Sequence, residues 1–392
     1  MQFIDLAAQQ KVIRDRILSN INEVLDHGRY IMGPEIKNLE KKLAAFVGVE
    51  HAVACSSGTD ALLLALMAHG VGPGDAVFTS PFTFIATAEV ISLIGAVPVF
   101  VDIDGETYNL DPDHLERAIE AFKAQKNDYP LPRDVDPSSL KPKAIIGVDL
   151  FGLPADYERI NAVATADDLV VIEDAAQSFG ARCKETRACA LAGIACTSFF
   201  PAKPLGCYGD GGMCFTKDEA LAHNMRSFCV HGQGHHKYEN VRIGINGRLE
   251  TLQAAVLLAK FDIFPEEIEK RQDVAARYTA MLSEADSDVV TPVIPDGMQS
   301  AWAQYSILAR DEEHRSLLQA KLKEAGIPTA IYYPKPLHLQ KAFAGLGYGE
   351  GDFPVSEDAS RRIFSLPMHP YLKAEDQERI AGIFKENKRD KA

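Results

Sequence analysis

The middle of the chain alternates short β-rich runs with helical patterns, and no other feature constrains the fold as much. His51–Cys55 leads into a helical pattern over Thr59–His69; Ala76–Thr79, a helix near Ile85–Ile94 and a strand over Val97–Ile103 follow. Further strand-like runs are Lys143–Leu150, Leu169–Glu173, Ile194–Phe199 and Met213–Thr216, with a helical stretch Ala155–Ala166 between the first two. Parallel neighbours need long crossovers, so strand, helix and strand at this spacing predict βαβ units in an α/β fold. The sheet is expected to be mostly parallel and covered by helices on both faces. The unbroken apolar run Val97–Val101 suits a strand buried on both sides.

After residue 217 the pattern turns helical. Leu249–Phe264 and Glu266–Ala285 flank Pro265, which is expected to break one helix from the next. Beyond Val289 come a strand over Tyr305–Ala309, a helix over His314–Ala325 and a short C-terminal helix. A chain of 392 residues exceeds one small core. Residues 1–260 are read as a large ligand-binding domain, and residues 261–392 as linking helices and a smaller C-terminal α+β domain. The polar stretch Lys123–Pro142 carries Pro130, Pro132, Pro137 and Pro142 and reads as a surface excursion.

Charge narrows the choice of partner. Lys plus Arg number 41 against 55 Asp plus Glu, a net charge of −14. That balance opposes binding to nucleic acid, which needs a basic face, but small anions respond to the local site instead. The seven cysteines are odd in number and form no CxxC pair, so they read as reduced thiols rather than a disulfide or zinc framework. His235–His236 has no carboxylate or cysteine at ligand spacing, so no metal is expected. Met1–Gln10 lacks a basic leader, and the longest helix-like apolar run, Ala61–Ala68, is too short to span a membrane. The expectation is a cytoplasmic protein without a membrane partner.

Three segments carry chemistry. Val170–Val171–Ile172–Glu173–Asp174–Ala175–Ala176–Gln177 is a buried strand ending in carboxylates and an amide. Ligands of open α/β sheets collect at such ends, although an Asp there also serves as a helix cap. Lys203 sits among Phe199, Phe200, Pro201, Pro204 and the glycines 206, 209, 211 and 212. A lysine so placed loses hydration, which lowers its pKa toward that of a nucleophilic amine; an isolated lysine is more often a surface charge. The glycines lead into a strand, not a helix, so this is no dinucleotide fingerprint. In Cys55–Ser56–Ser57–Gly58–Thr59–Asp60–Ala61–Leu62 a strand turns into a helix N-terminus, which attracts an anion or is merely capped. Pro81–Phe82–Thr83–Phe84 offers an aromatic ring to a planar ligand or to the core.

Together with GINGRLETLQAAVL near residue 243, these segments resemble the DegT/DnrJ/EryC1/StrS sugar aminotransferases, fold type I enzymes that use pyridoxal 5'-phosphate. The similarity runs from Phe3–Ile4–Asp5–Leu6 to Ser365–Leu366–Pro367–Met368–His369–Pro370. The resemblance implies that Lys203 forms the internal aldimine and that Asp174 holds the pyridine nitrogen protonated. It implies that Gln177 lies near the phenolic oxygen and that Phe84 stacks on the ring. Gly58, Thr59 and Ser198 match the phosphate cup. Asn246 matches a phosphate contact from the neighbouring subunit, which implies a homodimer with shared active sites. Relatives that replace the lysine with histidine act as dehydratases; this chain keeps Lys203.

The family as a whole acts on nucleotide-linked keto sugars. The stretch from Ser198 through Tyr278 looks most like members that aminate C3 of a UDP-linked 2-acetamido-3-oxo-hexuronic acid, with L-glutamate as the implied amino donor. Arg248 matches a position able to pair with the sugar carboxylate, or else to form a salt bridge at the subunit interface. His231, Tyr332, Tyr333 and His338 fall in the family's substrate-side segments, although relatives often have His–Tyr–Pro where this chain has Tyr332–Tyr333–Pro334. Other 3- or 4-keto UDP- or dTDP-sugars, a dehydratase and a non-catalytic regulatory protein of the same fold are the alternatives.

Overall fold

The computed structural model describes residues 1–392 except 127, 237, 286, 287 and 390–392. Seven strands make the main sheet: β1 (His51–Cys55), β2 (Asp75–Thr79), β3 (Val97–Phe100), β4 (Lys141–Val148), β5 (Val170–Asp174), β6 (Ile194–Ser198) and β7 (Gly212–Thr216). Their spatial order is β1-β7-β6-β5-β4-β2-β3. Only β7 runs antiparallel to its neighbours β1 and β6; the β6-β5-β4-β2-β3 pairs are all parallel. The expected mostly parallel α/β sheet is therefore present.

Strand alternation divides the core between two faces. Val53, Cys55, Val77, Ile146, Ile172, Cys196 and Cys214 point toward one helical layer, which includes Gly58–Ala68. Ala54, Ala195, Met213 and Phe215 point the other way, onto the helices Pro34–Val47 and Thr251–Phe261. On that same side Phe78, Val99 and Ile145 meet the helices Pro112–Ala124 and Tyr157–Ala166. A period of two with both sides apolar is what a sheet sandwiched by helices requires. All seven cysteines are unpaired, and six are buried in this packing.

A second core is built on the antiparallel strands Tyr305–Ala309 and Ile363–Leu366 and the helices Glu312–Glu324 and Ala374–Arg389. Helix Phe264–Glu284 joins the two units: Phe264 and Ile268 pack with the main sheet, whereas Val274, Tyr278 and Leu282 pack with the second core. The division anticipated at residue 260 falls one residue before the end of helix Thr251–Phe261. Contacts also return across it, since Leu337, Phe343 and Phe353 complete the core beside β2–β5. Pro265 does not interrupt a helix as expected. The chain breaks at Asp262–Ile263, and Pro265 lies in the first turn of the next helix, where its missing N–H has no intrahelical partner to lose.

The excursion Lys123–Pro142 is tied down at two points. Tyr129 is buried and its hydroxyl accepts the Asp102 N–H at 3.0 Å; Arg133 pairs with Asp352 at 2.5 Å. A concavity of about 830 Å³ is lined by residues of the excursion itself, between Gln125 and Pro137, and by none of the Lys203 segment. Among the described residues no helix is long and apolar enough to cross a membrane.

Phe215 is fully buried on β7 with its ring stacked 6.0 Å from that of Phe179. Phe215→Ala is expected to cost about 3–5 kcal/mol of stability, read from a denaturant midpoint shift at unchanged slope.

Candidate active site

The site begins where three backbone segments touch. Cys55 and Ser198, the last residues of β1 and β6, both pair with Gly212 at the start of β7. A Cβ on Gly212 would lie 2.2 Å from the Ser57 carbonyl oxygen, and one on Gly58 would lie 2.6 Å from Ser198 Cβ. Only glycines permit that approach. It brings the N-terminus of helix Gly58–Ala68 beside Ser198. Ser57 Oγ caps the helix by accepting the Asp60 N–H at 3.0 Å, and Ser56 donates its hydroxyl to Asp60. The first-turn N–H groups at Gly58 and Thr59 lie ahead of any intrahelical acceptor and, with the helix dipole, suit an anion.

The loop after β6 closes on itself. Phe199 donates to the Gly211 carbonyl at 2.7 Å, Cys207 donates to the Phe199 carbonyl at 2.8 Å, and Lys203 donates to the Phe200 carbonyl at 2.8 Å. Lys203 is held within this loop. Burial brings its amine down to about 8, only partly opposed by the attraction of Asp174. The amine therefore becomes half neutral near pH 8, far below an ordinary lysine, as a nucleophile requires.

Asp174 ends β5 and is buried. Thr87 Oγ1 donates to Oδ2 at 2.8 Å and the Ala176 N–H donates to Oδ1 at 3.2 Å. Burial raises its pKa, whereas Thr87, the Ala176 N–H and Lys203 all favour the anion. Thr87 was not singled out from the sequence. It lies in the first turn of helix Ala86–Leu93 and also bonds the Thr83 hydroxyl, in the bend before that helix, at 3.1 Å.

Gln177 is anchored by its carbonyl, which accepts the Phe151 N–H at 2.9 Å; its amide donates to Tyr333 Oη at 3.4 Å. Phe151 has φ of +60°, an uncommon conformation for an aromatic residue, and nothing in the sequence marks it. The Tyr333 ring lies 6.3 Å from Phe82 and 6.5 Å from Phe84. Burial and the nearby Asp174 push the Tyr333 hydroxyl well up, so it stays protonated. Phe82 is core, whereas Phe84 is 55% exposed at the edge of this cluster.

The remaining expected residues are dispersed. Tyr332 is half-buried with its ring 6.4 Å from Phe3. His231 and Asn246 are exposed, and Asn246 bridges to Val230. The Gly247 carbonyl between Asn246 and Arg248 accepts the Ser56 N–H at 2.8 Å, so this strip lies against the strand end that leads into the helix at Gly58. Arg248 is half-buried, and its Nε is buried without a hydrogen-bond partner. His338 is only 2% exposed; Nε2 bonds Glu357 at 3.0 Å and the ring packs edge-on against Phe353. Its ring is thus committed to the protein interior.

A family model for DegT/DnrJ/EryC1/StrS aminotransferases matches residues 11–385. The chain belongs to that family. It is 50% identical to the UDP-2-acetamido-2-deoxy-3-oxo-D-glucuronate aminotransferase of Pseudomonas aeruginosa, covering 95% of this chain and 96% of the relative. It is 45% identical to a pleiotropic regulatory protein of Geobacillus stearothermophilus, covering 97% and 98%. Among solved structures, a family aminotransferase from Brucella abortus superposes with a TM-score of 0.92 at 50% identity, covering 99% of both chains. The Bacillus subtilis protein NtdA with bound cofactor PMP gives 0.85 at 30% identity, covering 98% of this chain and 82% of that one.

The chain is thus a pyridoxal-phosphate enzyme of fold type I. The lysine site offers what that cofactor needs: a desolvated amine at Lys203, a buried carboxylate at Asp174, and a glycine-lined helix N-terminus for phosphate.

Gly58→Ala is expected to push Ser198 or the helix start aside and weaken cofactor affinity by about tenfold or more, measured by titrating cofactor-free protein. Capture of the cofactor aldehyde by Lys203 would need the neutral amine. Its rate is therefore expected to climb with pH and reach half its maximum near about 8, read from growth of the visible absorbance.

Proposed function

We propose that the chain moves an amino group from L-glutamate to the C3 ketone of a UDP-linked 2-acetamido-3-oxo-hexuronic acid. The observation that carries this reading is Arg248, half-buried on a strip bonded to Ser56, two residues before Gly58. A guanidinium in that place suits a substrate that brings its own carboxylate. The 50% identity to an aminotransferase of such an acid sugar supports the same substrate class.

In this reading the bound cofactor supplies the electron sink for the carbon that loses its proton. The protein does the rest. Lys203 Nζ, neutral and adjacent, takes the proton from the substrate carbon and returns one in the reverse sense. Asp174, fixed by Thr87 and Ala176, is the anion that keeps the ring nitrogen protonated. Gly58, Thr59 and Ser198 hold the phosphate, and Gln177, with its carbonyl fixed by Phe151, turns its amide toward the ring. Phe84 and Tyr333 border the face from which substrate enters. His231 and Tyr332 contact substrate further out, whereas His338 is buried against Glu357. Glutamate and the sugar use the site in turn.

The enzyme acts as a homodimer in the cytoplasm. Phe84, Phe200, Tyr238, Val241 and Ile243 are large apolar side chains left more than half exposed on the single chain. A partner covering them would bring its own exposed Asn246 to the phosphate site. A purely regulatory role is disfavoured because Lys203 and Asp174 are both present and electrostatically coupled.

The test is mass spectrometry of products from UDP- and dTDP-linked keto sugars incubated with glutamate. Amination of the UDP acid sugar at C3 is expected; amination confined to dTDP or 4-keto sugars would overturn the substrate reading. Lys203→Ala is expected to abolish both the visible band and turnover. Arg248→Ala is expected to lower kcat/KM for the acid sugar about tenfold or more relative to its 6-deoxy analogue.

A further inference from the structure

The motif GINGRLETLQAAVL enters the proposed function only through Asn246 and Arg248, yet its glutamine reaches the loop that carries Lys203. Gln253 lies in the first turn of helix Thr251–Phe261. Its Oε1 accepts the Tyr208 N–H at 2.8 Å, and its Nε2 donates to the Tyr208 carbonyl at 3.3 Å. A side-chain amide that takes both backbone groups of one residue does what a neighbouring strand would do, and holds that residue against sliding and twisting. The bare backbone at Gly209 leaves the amide its room, because a Cβ there would lie 3.0 Å from Nε2. Seven residues along the same helix face, buried Lys260 brings its Nζ within 4.5 Å of the centroid of the Tyr208 ring. Tyr208 is thus held by backbone and by ring from one helix.

An unbroken run of backbone contacts joins Tyr208 to Lys203. Cys207 donates its N–H to the Phe199 carbonyl at 2.8 Å. Gly206 packs so closely that a Cβ would lie 2.5 Å from the Pro201 carbonyl oxygen and 2.6 Å from that of Phe200. The Lys203 N–H donates to the same Phe200 carbonyl at 2.8 Å. The helix end of the clamp is fixed as well. Thr251 donates its N–H to the Tyr30 carbonyl at 3.1 Å, and its Oγ1 accepts the Gly33 N–H at 3.0 Å.

We propose that Gln253 is a positioning residue for Lys203: by clamping Tyr208 to the start of helix Thr251–Phe261, it fixes the loop from which the amine works. Gln253 bonds the loop and not the lysine, so it acts through backbone geometry. Proton transfer by the amine depends steeply on where the nitrogen is held, whereas the first binding of an amino donor does not. The inference rests on the reading of Lys203 as the lysine that takes the cofactor and moves the proton.

Gln253→Met keeps the length of the side chain and removes both hydrogen bonds. In the holoenzyme kcat is expected to fall about tenfold, the order set by two backbone hydrogen bonds, while KM for glutamate stays within about twofold. Amide hydrogen exchange, read by mass spectrometry, is expected to quicken about tenfold over the loop between Phe199 and Gly211 and to keep its wild-type rate in the main sheet. Wild-type kcat beside faster loop exchange would leave the clamp a merely structural one and overturn the proposal. Unchanged loop exchange would overturn it too, as would a raised KM with kcat intact. If Gln253→Met does not fold, Gly209→Ala reaches the clamp from the loop side, where its Cβ crowds Nε2. A lowered kcat at steady KM supports the proposal there, and wild-type kcat overturns it.

Borohydride reduction followed by peptide mass spectrometry separates this inference from the reading beneath it. Cofactor fixed to Lys203 in wild type and variant upholds the lysine, and the kcat comparison then decides Gln253 alone. Cofactor fixed to another lysine overturns the Lys203 reading, and the inference with it, even where kcat falls.

Discussion

The active site depends on a contact that admits no side chain. At Gly212 the ends of β1 and β6 meet the start of β7, and the Ser57 carbonyl occupies the space a Cβ would need. That approach seats the helix beginning at Gly58 against Ser198. The same strand end launches the closed loop that carries Lys203. One packing constraint therefore places the anion-binding end of the site and its amine together, and neither can shift without the other.

Desolvation sets the chemistry within that frame. Burial lowers Lys203 and raises Asp174, so each is driven toward its neutral form, and each is partly restored by the other's charge. Thr87 and the Ala176 N–H tip Asp174 back toward the anion with two directed donors. In the proposed function a chain of net charge −14 handles anionic ligands through local donors: a helix N-terminus, one amine and a half-buried Arg248.

The elements read from the sequence fall within about three residues of their observed bounds, but the helices Leu6–His27, Pro34–Val47 and Pro112–Ala124 were not among them. Thr59–His69 is Gly58–Ala68 in the structure, and Leu169–Glu173 is Val170–Asp174, because apolar periodicity and glycine or proline boundaries report local preference directly. Pro265 misled because a proline signals both the end of one helix and the first turn of the next. Thr87 and Phe151 escaped notice for another reason. Each acts on a residue distant in the chain, through contacts between a strand end and a helix or turn, and carries no local mark.

The sequence by itself determined the βαβ architecture and the family, and it singled out Lys203 and Asp174 as the candidate central pair. These depend on periodicity and on residue types whose chemistry has few substitutes. Only the tertiary structure decided which groups tune that pair. It gave Asp174 to Thr87, fixed the Gln177 carbonyl on Phe151, withdrew His338 into the interior against Glu357, and left the Arg248 Nε without a partner. The physical reason is that pKa and hydrogen-bond satisfaction depend on burial and on neighbours across the sheet, and neither exists until the chain has folded.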